Sequence, residues 1–217
     1  MATPYFQVRV NRVASTQDVA RDRLEDLPLL VLATGQSQGR GRSGAEWLTA
    51  DRALAASLAF RHSADEDRPL SLMAGVAAVR AASGTSLKWP NDVLRDGVKV
   101  GGILVERSDD VTVVGLGLNL WWRSAPAGMG ALFSDDPGEC EHARIGGLWG
   151  AELMELIDGH GWPIDEYRSV CTTIGQEITW EPGGSGRAVD ISSDGALVVE
   201  TVSGRETIHS GAVSHVR

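Results

Sequence analysis

Glycines inside two neighbouring apolar segments constrain the fold more than any other feature of this sequence. Segments 98–106 and 111–119 are rich in Val, Leu and Ile and are joined by the polar turn Ser108-Asp109-Asp110, which predicts an antiparallel hairpin. Interior glycines weaken a strand unless it bulges or another group approaches its backbone. We therefore predict that a ligand lies across this hairpin, with a β-bulge as the alternative. The glycines concerned are Gly101, Gly102, Gly115 and Gly117.

A second unusual segment precedes the hairpin. Residues 39–44 read Gly-Arg-Gly-Arg-Ser-Gly, and Trp47 follows. Glycine permits close backbone approach, and Arg presents a rigid fork of donors to phosphate or carboxylate, so the segment predicts an anion-binding loop. Its spacing also satisfies G-x-G-x-x-G, but that fingerprint needs a strand leading directly into the glycines. Because residues 34–38 intervene after the apolar run 29–33, the spacing alone does not predict NAD binding, and a flexible loop is the alternative.

Composition narrows the class of protein. The chain has 217 residues, 42% of them hydrophobic and 23% charged, which suits one sizeable core plus a small appended domain. A net charge of −9 argues against nucleic-acid binding, which needs clustered Lys and Arg. The two cysteines and five histidines form no metal or redox motif. No signal peptide or membrane span is recognisable, so a cytoplasmic protein is predicted.

Local patterns predict a larger N-terminal part and a smaller C-terminal part. We expect a catalytic domain over residues 1–174 and a small β domain over 175–217, where short β-like runs alternate with Gly, Ser and Asp, as in a small β-barrel. Ser15 is in the position of a helix N-cap. Strands or β-like runs are predicted over 5–13, 177–180, 186–191, 197–202 and 206–209, and helices over 17–24, 69–82, 145–160 and 164–174.

Three further motifs suggest a family. Residues 88–92 read Lys-Trp-Pro-Asn-Asp, residues 101–106 read Gly-Gly-Ile-Leu-Val-Glu, and residues 115–119 read Gly-Leu-Gly-Leu-Asn. Together with the Gly-Arg-Gly-Arg-Ser-Gly loop and Ser15-Thr16 near the start, and in this order, they make the chain similar to the biotin protein ligases. The resemblance is strong from Ser15 to Asn119 and looser beyond.

The resemblance implies an α+β fold, with a mixed, largely antiparallel β-sheet, helices packed on it, and a small C-terminal SH3-like β-barrel. It implies an enzyme that uses ATP and Mg²⁺ to activate biotin to biotinyl-5′-AMP, and then biotinylates a lysine of a biotin carboxyl carrier domain. The implied biotin-binding residues are Ser15, Thr16, Gln36, Gly39, Arg40, Lys88, Gly101, Gly102, Gly115 and Gly117. The implied ATP-binding residues are Arg40, Arg42, Trp47, Lys88, Asn91, Lys99 and Asn119.

The chemistry of such a reaction requires cations. The biotin carboxylate and the α-phosphate of ATP are both anions, so their approach is costly unless fixed positive charges lie between them. Arg40, Arg42, Lys88 and Lys99 are the candidates, with Lys88 assigned to the meeting point. Asp92 is predicted to orient the acceptor amine, or alternatively to pair with a neighbouring lysine. Oxygen atoms of Asn91, Asp92 or Asn119 are candidates for Mg²⁺, although the metal ligands are left open.

The remaining predictions concern adenine stacking by two tryptophans and the alternatives to a biotin ligase. Trp47 and Trp89 lie beside the motifs and are the ones considered for stacking on adenine, although core packing is the commoner role. A lipoate or octanoate ligase and a biotin or nucleotide sensor without turnover are the alternatives to a biotin ligase. Since the first motif begins at Ser15, we expect no N-terminal DNA-binding domain and therefore no repressor function. The oligomeric state is left as monomer or homodimer.

Overall fold

The structure is a computed structural model that describes residues 3–62, 68–209, 211 and 213–216. Its larger sheet consists of Phe6–Val13 (β1), Leu29–Gln36 (β2), Arg52–Arg61 (β3), Ser86–Lys88 (β4), Asp92–Arg95 (β5), Val98–Ser108 (β6) and Val111–Trp121 (β7). The strand order is β1-β2-β3-β7-β6-β5-β4. Strands β1 and β2 run parallel, and the other neighbouring pairs run antiparallel. This confirms the predicted mixed, largely antiparallel sheet.

Helices cover both faces of this sheet. They are Thr16–Asp22 (α1), Leu70–Ala81 (α2), Glu141–Asp158 (α3) and Ile164–Val170 (α4). Strand β3 contacts α1 and α3, and every residue between its two ends is buried. A strand covered on both faces reads as a continuous apolar run instead of an alternating one. Residues 53–60 accordingly form an apolar run interrupted only by Ser57.

Helix α3 packs very closely on the sheet because two of its glycines face β2. A Cβ atom added at Gly146 would lie 2.7 Å from the Leu32 side chain, and one added at Gly150 would lie 2.4 Å from Leu30. Trp149 is fully buried beside them, and its Nε1 donates to the carbonyl of Ala74 in α2 at 3.1 Å. The glycines therefore set the distance between helix and sheet.

The second sheet contains the C-terminal strands. They are Glu177–Trp180 (β8), Gly184–Ile191 (β9), Leu197–Thr201 (β10), Gly204–Ile208 (β11) and Val213–His215 (β12). The order β11-β10-β9-β8-β12 is antiparallel and of the small-barrel type that the C-terminal pattern predicted. The sequence interpretation assigned no strand to β2 or β3, whose apolar runs do not alternate. It also missed β4, β5 and β12, which have three or four residues each and carry too little pattern to detect.

The two sheets share one hydrophobic core. Buried side chains of the small sheet, such as Ile178 and Leu197, belong to the same cluster as those of α2 and β7. Trp89 is 2% exposed, and its Nε1 donates to the carbonyl of Gly195 at 3.0 Å. Arg168 of α4 contacts Asp190 and donates to the carbonyl of Ile191. Trp89 is thus a core residue of this junction, which contradicts its suggested role in adenine stacking.

None of the helices in the described ranges combines the length and the apolar character needed to cross a lipid bilayer.

Candidate active site

A cavity of about 520 Å³ opens on one face of the large sheet. Its floor is the middle of β6 and β7, and its walls come from the start of α1, the loop 40–47, the start of β5, and two residues near the small sheet. Most of the predicted site residues meet here although they are far apart in sequence. Those that line the cavity are Ser15, Thr16, Gln36, Arg40, Arg42, Trp47, Asn91, Asp92, Lys99, Gly102, Gly115 and Gly117.

One end of the cavity is an uncharged polar cluster. Gln36 Oε1 accepts from the backbone N–H of Thr16 at 2.7 Å and from its hydroxyl at 3.0 Å. The Ser57 hydroxyl donates to Thr16 Oγ1 at 2.8 Å. The predicted N-cap is confirmed, since Ser15 Oγ accepts from the N–H of Asp18. Because its oxygen is engaged by Thr16, Gln36 has its Nε2 donors available for a ligand.

Side chains of the protein itself lie against the glycines on the floor of the cavity. A Cβ atom at Gly117 would lie 2.8 Å from the indole of Trp47, and one at Gly102 would lie 3.4 Å from it. A Cβ atom at Gly115 would lie 3.1 Å from the amide of Gln17. These glycines line the cavity, but the side chains that need their lack of a Cβ belong to the protein itself. That a ligand also lies across them stays a prediction.

Some predicted residues lie outside the cavity wall. A Cβ atom at Gly101 would meet Leu118 at 2.4 Å, so this glycine serves core packing. Gly39 packs against Gln36 and Trp47 behind the wall. Asn119 is 3% exposed, and its Oδ1 has no hydrogen-bond partner within the described structure. None of these three is among the residues that line the cavity, which argues against direct ligand contact in this conformation.

The position of Lys88 differs from that of the other predicted cations. Lys88 is the last residue of β4, the edge strand next to β5. It is paired in register with Asp92 of β5 and does not line the cavity. Its charge acts on His215 instead: burial, followed by the repulsion from Lys88, lowers the pKa of that imidazole. Lys99 of β6 does line the cavity. In this conformation Lys99 therefore lines the cavity, whereas Lys88 lies beside the cavity residue Asp92 on the neighbouring strand, and the role predicted for Lys88 stays a prediction.

Two of the cavity cations are already paired with carboxylates. Lys99 Nζ lies 2.5 Å from Asp92 Oδ1, as the alternative interpretation of Asp92 predicted. Arg40 donates to both oxygens of Asp18, at 3.0 and 2.6 Å, and lies 3.6 Å from Glu106. The hydrogen bond from Arg40 is the largest cause of the lowered pKa of Asp18. A substrate anion must therefore compete with Asp92 and Asp18 for these two cations.

Arg42 differs from these two cations because its hydrogen-bond acceptors are uncharged oxygens. Its Nη1 donates to Asn91 Oδ1 and its Nη2 to the carbonyl of Gly211, both at 3.2 Å. No carboxylate within the described ranges forms an ion pair with it. Its guanidinium can therefore bind a phosphate without first releasing any of those carboxylates.

The cavity-lining residues that were not predicted as site residues include Gln17, Ser57, Glu181 and Gly211. Gln17 directly follows Ser15-Thr16, and Ser57 is the single hydroxyl within the apolar run 53–60, so both had a local signal. Gln17 Nε2 donates to the carbonyl of Leu104, and its Oε1 has no partner in the described structure. Glu181 and Gly211 reach the cavity from the small sheet, and only the tertiary fold reveals them.

No preformed metal centre is visible in the described ranges. They contain no group of three or more His, Cys, Asp or Glu side chains placed to hold a metal ion. Both cysteines are free thiols. Of the predicted metal-binding oxygens, those of Asp92 and Asn91 line the cavity and are engaged by Lys99 and Arg42. Such a sparse set suits a cation held mainly by substrate oxygens and water.

Comparison with known proteins agrees with this geometry. Residues 10–120 match the biotin/lipoate A/B protein ligase family, and residues 173–216 match the biotin protein ligase C-terminal domain. The chain is 31% identical over 214 residues to a biotin–[acetyl-CoA-carboxylase] ligase of Mycobacterium tuberculosis, covering 87% of this chain and 79% of the relative. It is 30% identical to one of Paracoccus denitrificans, covering 84% and 88%.

A solved structure shows the same fold. The biotin protein ligase of Aquifex aeolicus in complex with biotin and ATP superposes with a TM-score of 0.84 at 26% identity, covering 98% of this chain and 99% of that one. The chain thus belongs to the biotin/lipoate A/B protein ligase family. Within that family, its C-terminal domain and its relatives place it among the biotin protein ligases.

Proposed function

We propose that this chain is a biotin–[acetyl-CoA-carboxylase] ligase. It makes biotinyl-5′-AMP from biotin and ATP and transfers the biotinyl group to one lysine of a biotin carboxyl carrier domain. The observation that carries the proposal is a single cavity that joins the Thr16–Gln36 cluster to the cations Arg40, Arg42 and Lys99. Such a cavity suits a molecule with a neutral polar ring at one end and a carboxylate at the other.

The polar cluster is proposed to bind the ureido ring of biotin. Gln36 Nε2 supplies donors for the ureido oxygen, and Ser57 adds a hydroxyl beside Thr16. The carboxylate arm of biotin then extends along the floor of β6 and β7 towards the cations. Trp47 covers Gly102 and Gly117, so it supplies the apolar wall of this channel.

In the first step, an oxygen of the biotin carboxylate attacks the α-phosphorus of ATP. A new carbon–oxygen–phosphorus linkage forms, the bond to the β-phosphate oxygen breaks, and pyrophosphate leaves. Arg42 and Lys99 hold the negative charge that develops at the α-phosphate, and Arg40 joins them by exchanging Asp18 for substrate. Lys99 takes the central part first predicted for Lys88, because Lys99 lines the cavity.

In the second step, the neutral amine of the acceptor lysine attacks the carbonyl carbon of biotinyl-5′-AMP. An amide bond forms and AMP leaves with the electrons of the broken carbon–oxygen bond. Asp92 orients the incoming ammonium and accepts its proton, directly or through water, once Lys99 has turned to the phosphate. Mg²⁺ is proposed to offset phosphate charge, with Asp92 and Asn91 supplying the protein oxygens.

The other predictions keep that status. The division at residues 174 and 175 agrees in position with the start of the C-terminal domain match at residue 173, and we retain it as a proposal. Three further points stay predictions. The protein is a monomer or homodimer, it is cytoplasmic, and it has no nucleic-acid partner and no repressor function. The relatives are named as biotin ligases, not as lipoate ligases, which supports biotin as the substrate.

The test is to incubate the protein with a biotin carboxyl carrier domain, ATP and Mg²⁺, offering biotin or lipoate, and to weigh the acceptor by mass spectrometry. We expect a gain of one biotin on one lysine and no gain from lipoate. If the acceptor gains lipoate and not biotin, the proposed substrate is wrong and lipoate takes its place. Biotin binding without formation of AMP would support the sensor alternative and contradict the ligase.

A further inference from the structure

The small C-terminal sheet contributes directly to the cavity. The carbonyl of Gly211, between β11 and β12, accepts from Arg42 Nη2 at 3.2 Å. Gly211 and Glu181, which follows β8, both line the cavity wall. No other residues of segment 175–217, as far as it is described, line this cavity. The contact with Arg42 is therefore the specific link between the small sheet and the charged end of the site.

The backbone at Gly211 has a conformation that other residues rarely adopt. Its φ angle is 134°, within the range that an L side chain tolerates poorly. The nearest atom to an added Cβ would be the carbonyl oxygen of Glu181 at 3.5 Å, so there is space for a methyl group. A side chain at this position would disturb the backbone that presents the carbonyl, and it would not fill the cavity.

The chemistry of the contact suits a positioning role. A guanidinium group has five N–H donors in a rigid plane, and here one goes to Asn91 and one to Gly211. Two neutral acceptors fix the orientation of the plane without neutralising its charge. The remaining donors are available to a phosphate. An acidic side chain in place of the Gly211 carbonyl would hold Arg42 equally well but would oppose the same phosphate.

We propose that the carbonyl of Gly211 is the positioning group for Arg42, so that the small sheet is a working part of the ATP half of the site. This rests on the proposed ligase function. The ring-binding end is built from α1, β2 and β3 and is independent of Gly211. Disturbing Gly211 should therefore weaken ATP binding and adenylation while leaving biotin binding unchanged.

The experiment compares Gly211→Ala with Gly204→Ala in the full chain. Gly204 begins β11 in the same sheet with a similar φ of 124°, and nothing lies within 4 Å of its added Cβ, so it controls for backbone strain. The readouts are ATP–pyrophosphate exchange, and calorimetric binding of biotin and of a non-hydrolysable ATP analogue. For Gly211→Ala we expect kcat/KM for ATP to fall at least about tenfold and the Kd for biotin to change less than about twofold. Gly204→Ala should retain wild-type kinetics.

A second comparison isolates the contact itself. In an Arg42→Met background, Gly211→Ala should cause no further loss, because the two changes remove one interaction. Unchanged ATP kinetics in Gly211→Ala, an equal loss in Gly204→Ala, or full additivity with Arg42→Met would overturn the proposal. If the wild-type protein shows no ATP–pyrophosphate exchange, the proposed ligase function is wrong. In that case reduced affinity of Gly211→Ala for the ATP analogue still supports the positioning role, and unchanged affinity contradicts it.

Discussion

Replacing Lys99 by Met is expected to slow adenylation far more than replacing Lys88 by Met. The two lysines are 11 positions apart in the sequence; Lys88 opens the motif 88–92, and Lys99 lies two positions before the motif 101–106. Only Lys99 lines the cavity, where its Nζ lies 2.5 Å from Asp92 Oδ1. Methionine keeps most of the length of the lysine side chain and removes its charge. The pair of variants therefore tests the charge at each position.

The structure sets the expected size of both effects. Removing one preorganised donor to a developing oxyanion costs about 2.7–4 kcal/mol, or a factor of about 10²–10³ in rate. The Lys99 side chain is 46% exposed and that of Asp92 22%, so solvent screens their pairing, and its loss costs at most about 1 kcal/mol of stability. Lys99→Met should thus be nearly as stable as wild type but strongly impaired. Lys88→Met, outside the cavity, should lose less than about threefold in rate.

The assay is ATP–pyrophosphate exchange with saturating biotin, because it reports adenylation without requiring an acceptor protein. Urea denaturation of both variants checks that any loss of rate is not a loss of folded protein. A rate loss in Lys88→Met equal to or greater than that in Lys99→Met would refute the assignment and restore Lys88 to the reacting centre.

The other expectations concern binding, packing and pH. Gln36→Ala removes an amide that organises Thr16 and should raise the Kd for biotin about tenfold, measured by calorimetry. Gly150→Ala should lower the free energy of unfolding by about 1–3 kcal/mol, since its Cβ would lie 2.4 Å from Leu30. The control is Gly147→Ala on the same helix, whose Cβ would lie 3.7 Å from its nearest neighbour, Gln7 Oε1, and which should not be destabilised. Arg40 lowers the pKa of Asp18, so the modest stability from this pair is present above the unfolded-state pKa and lost as pH falls through the folded one. The stability difference between wild type and Asp18→Asn should therefore disappear in acid; a difference that grows there would contradict the pairing.

Local pattern was sufficient where a residue's role depends on its near neighbours. Ser15 could be assigned as an N-cap because the donor it accepts from belongs to Asp18, three positions away. The hairpin of β6 and β7 followed from two apolar runs and a polar turn. The short strands β4, β5 and β12 were missed because three or four residues carry little periodic signal. The burial of Trp89 was missed because its partner, Gly195, is 106 positions away.

The same limit applied to the candidate site. Most of the residues selected by motif resemblance line the cavity, yet the resemblance did not predict that Lys99 would line it and Lys88 would not. The distinction depends on strand pairing, which places Lys88 on the outer strand β4 and Lys99 on β6. Likewise, the interior glycines correctly indicated close approach. The groups that approach them, Trp47 and Gln17, come from other parts of the chain.

The resemblance carried by the order of the motifs implied the class of protein and the largely antiparallel sheet, and the residue types in those motifs indicated a site for anions. The tertiary structure decided which cations face the cavity, which carboxylates already hold Arg40 and Lys99, and that the small sheet orients Arg42 through Gly211. Those properties depend on contacts between distant segments. Such contacts form only when the core common to both sheets brings the segments together.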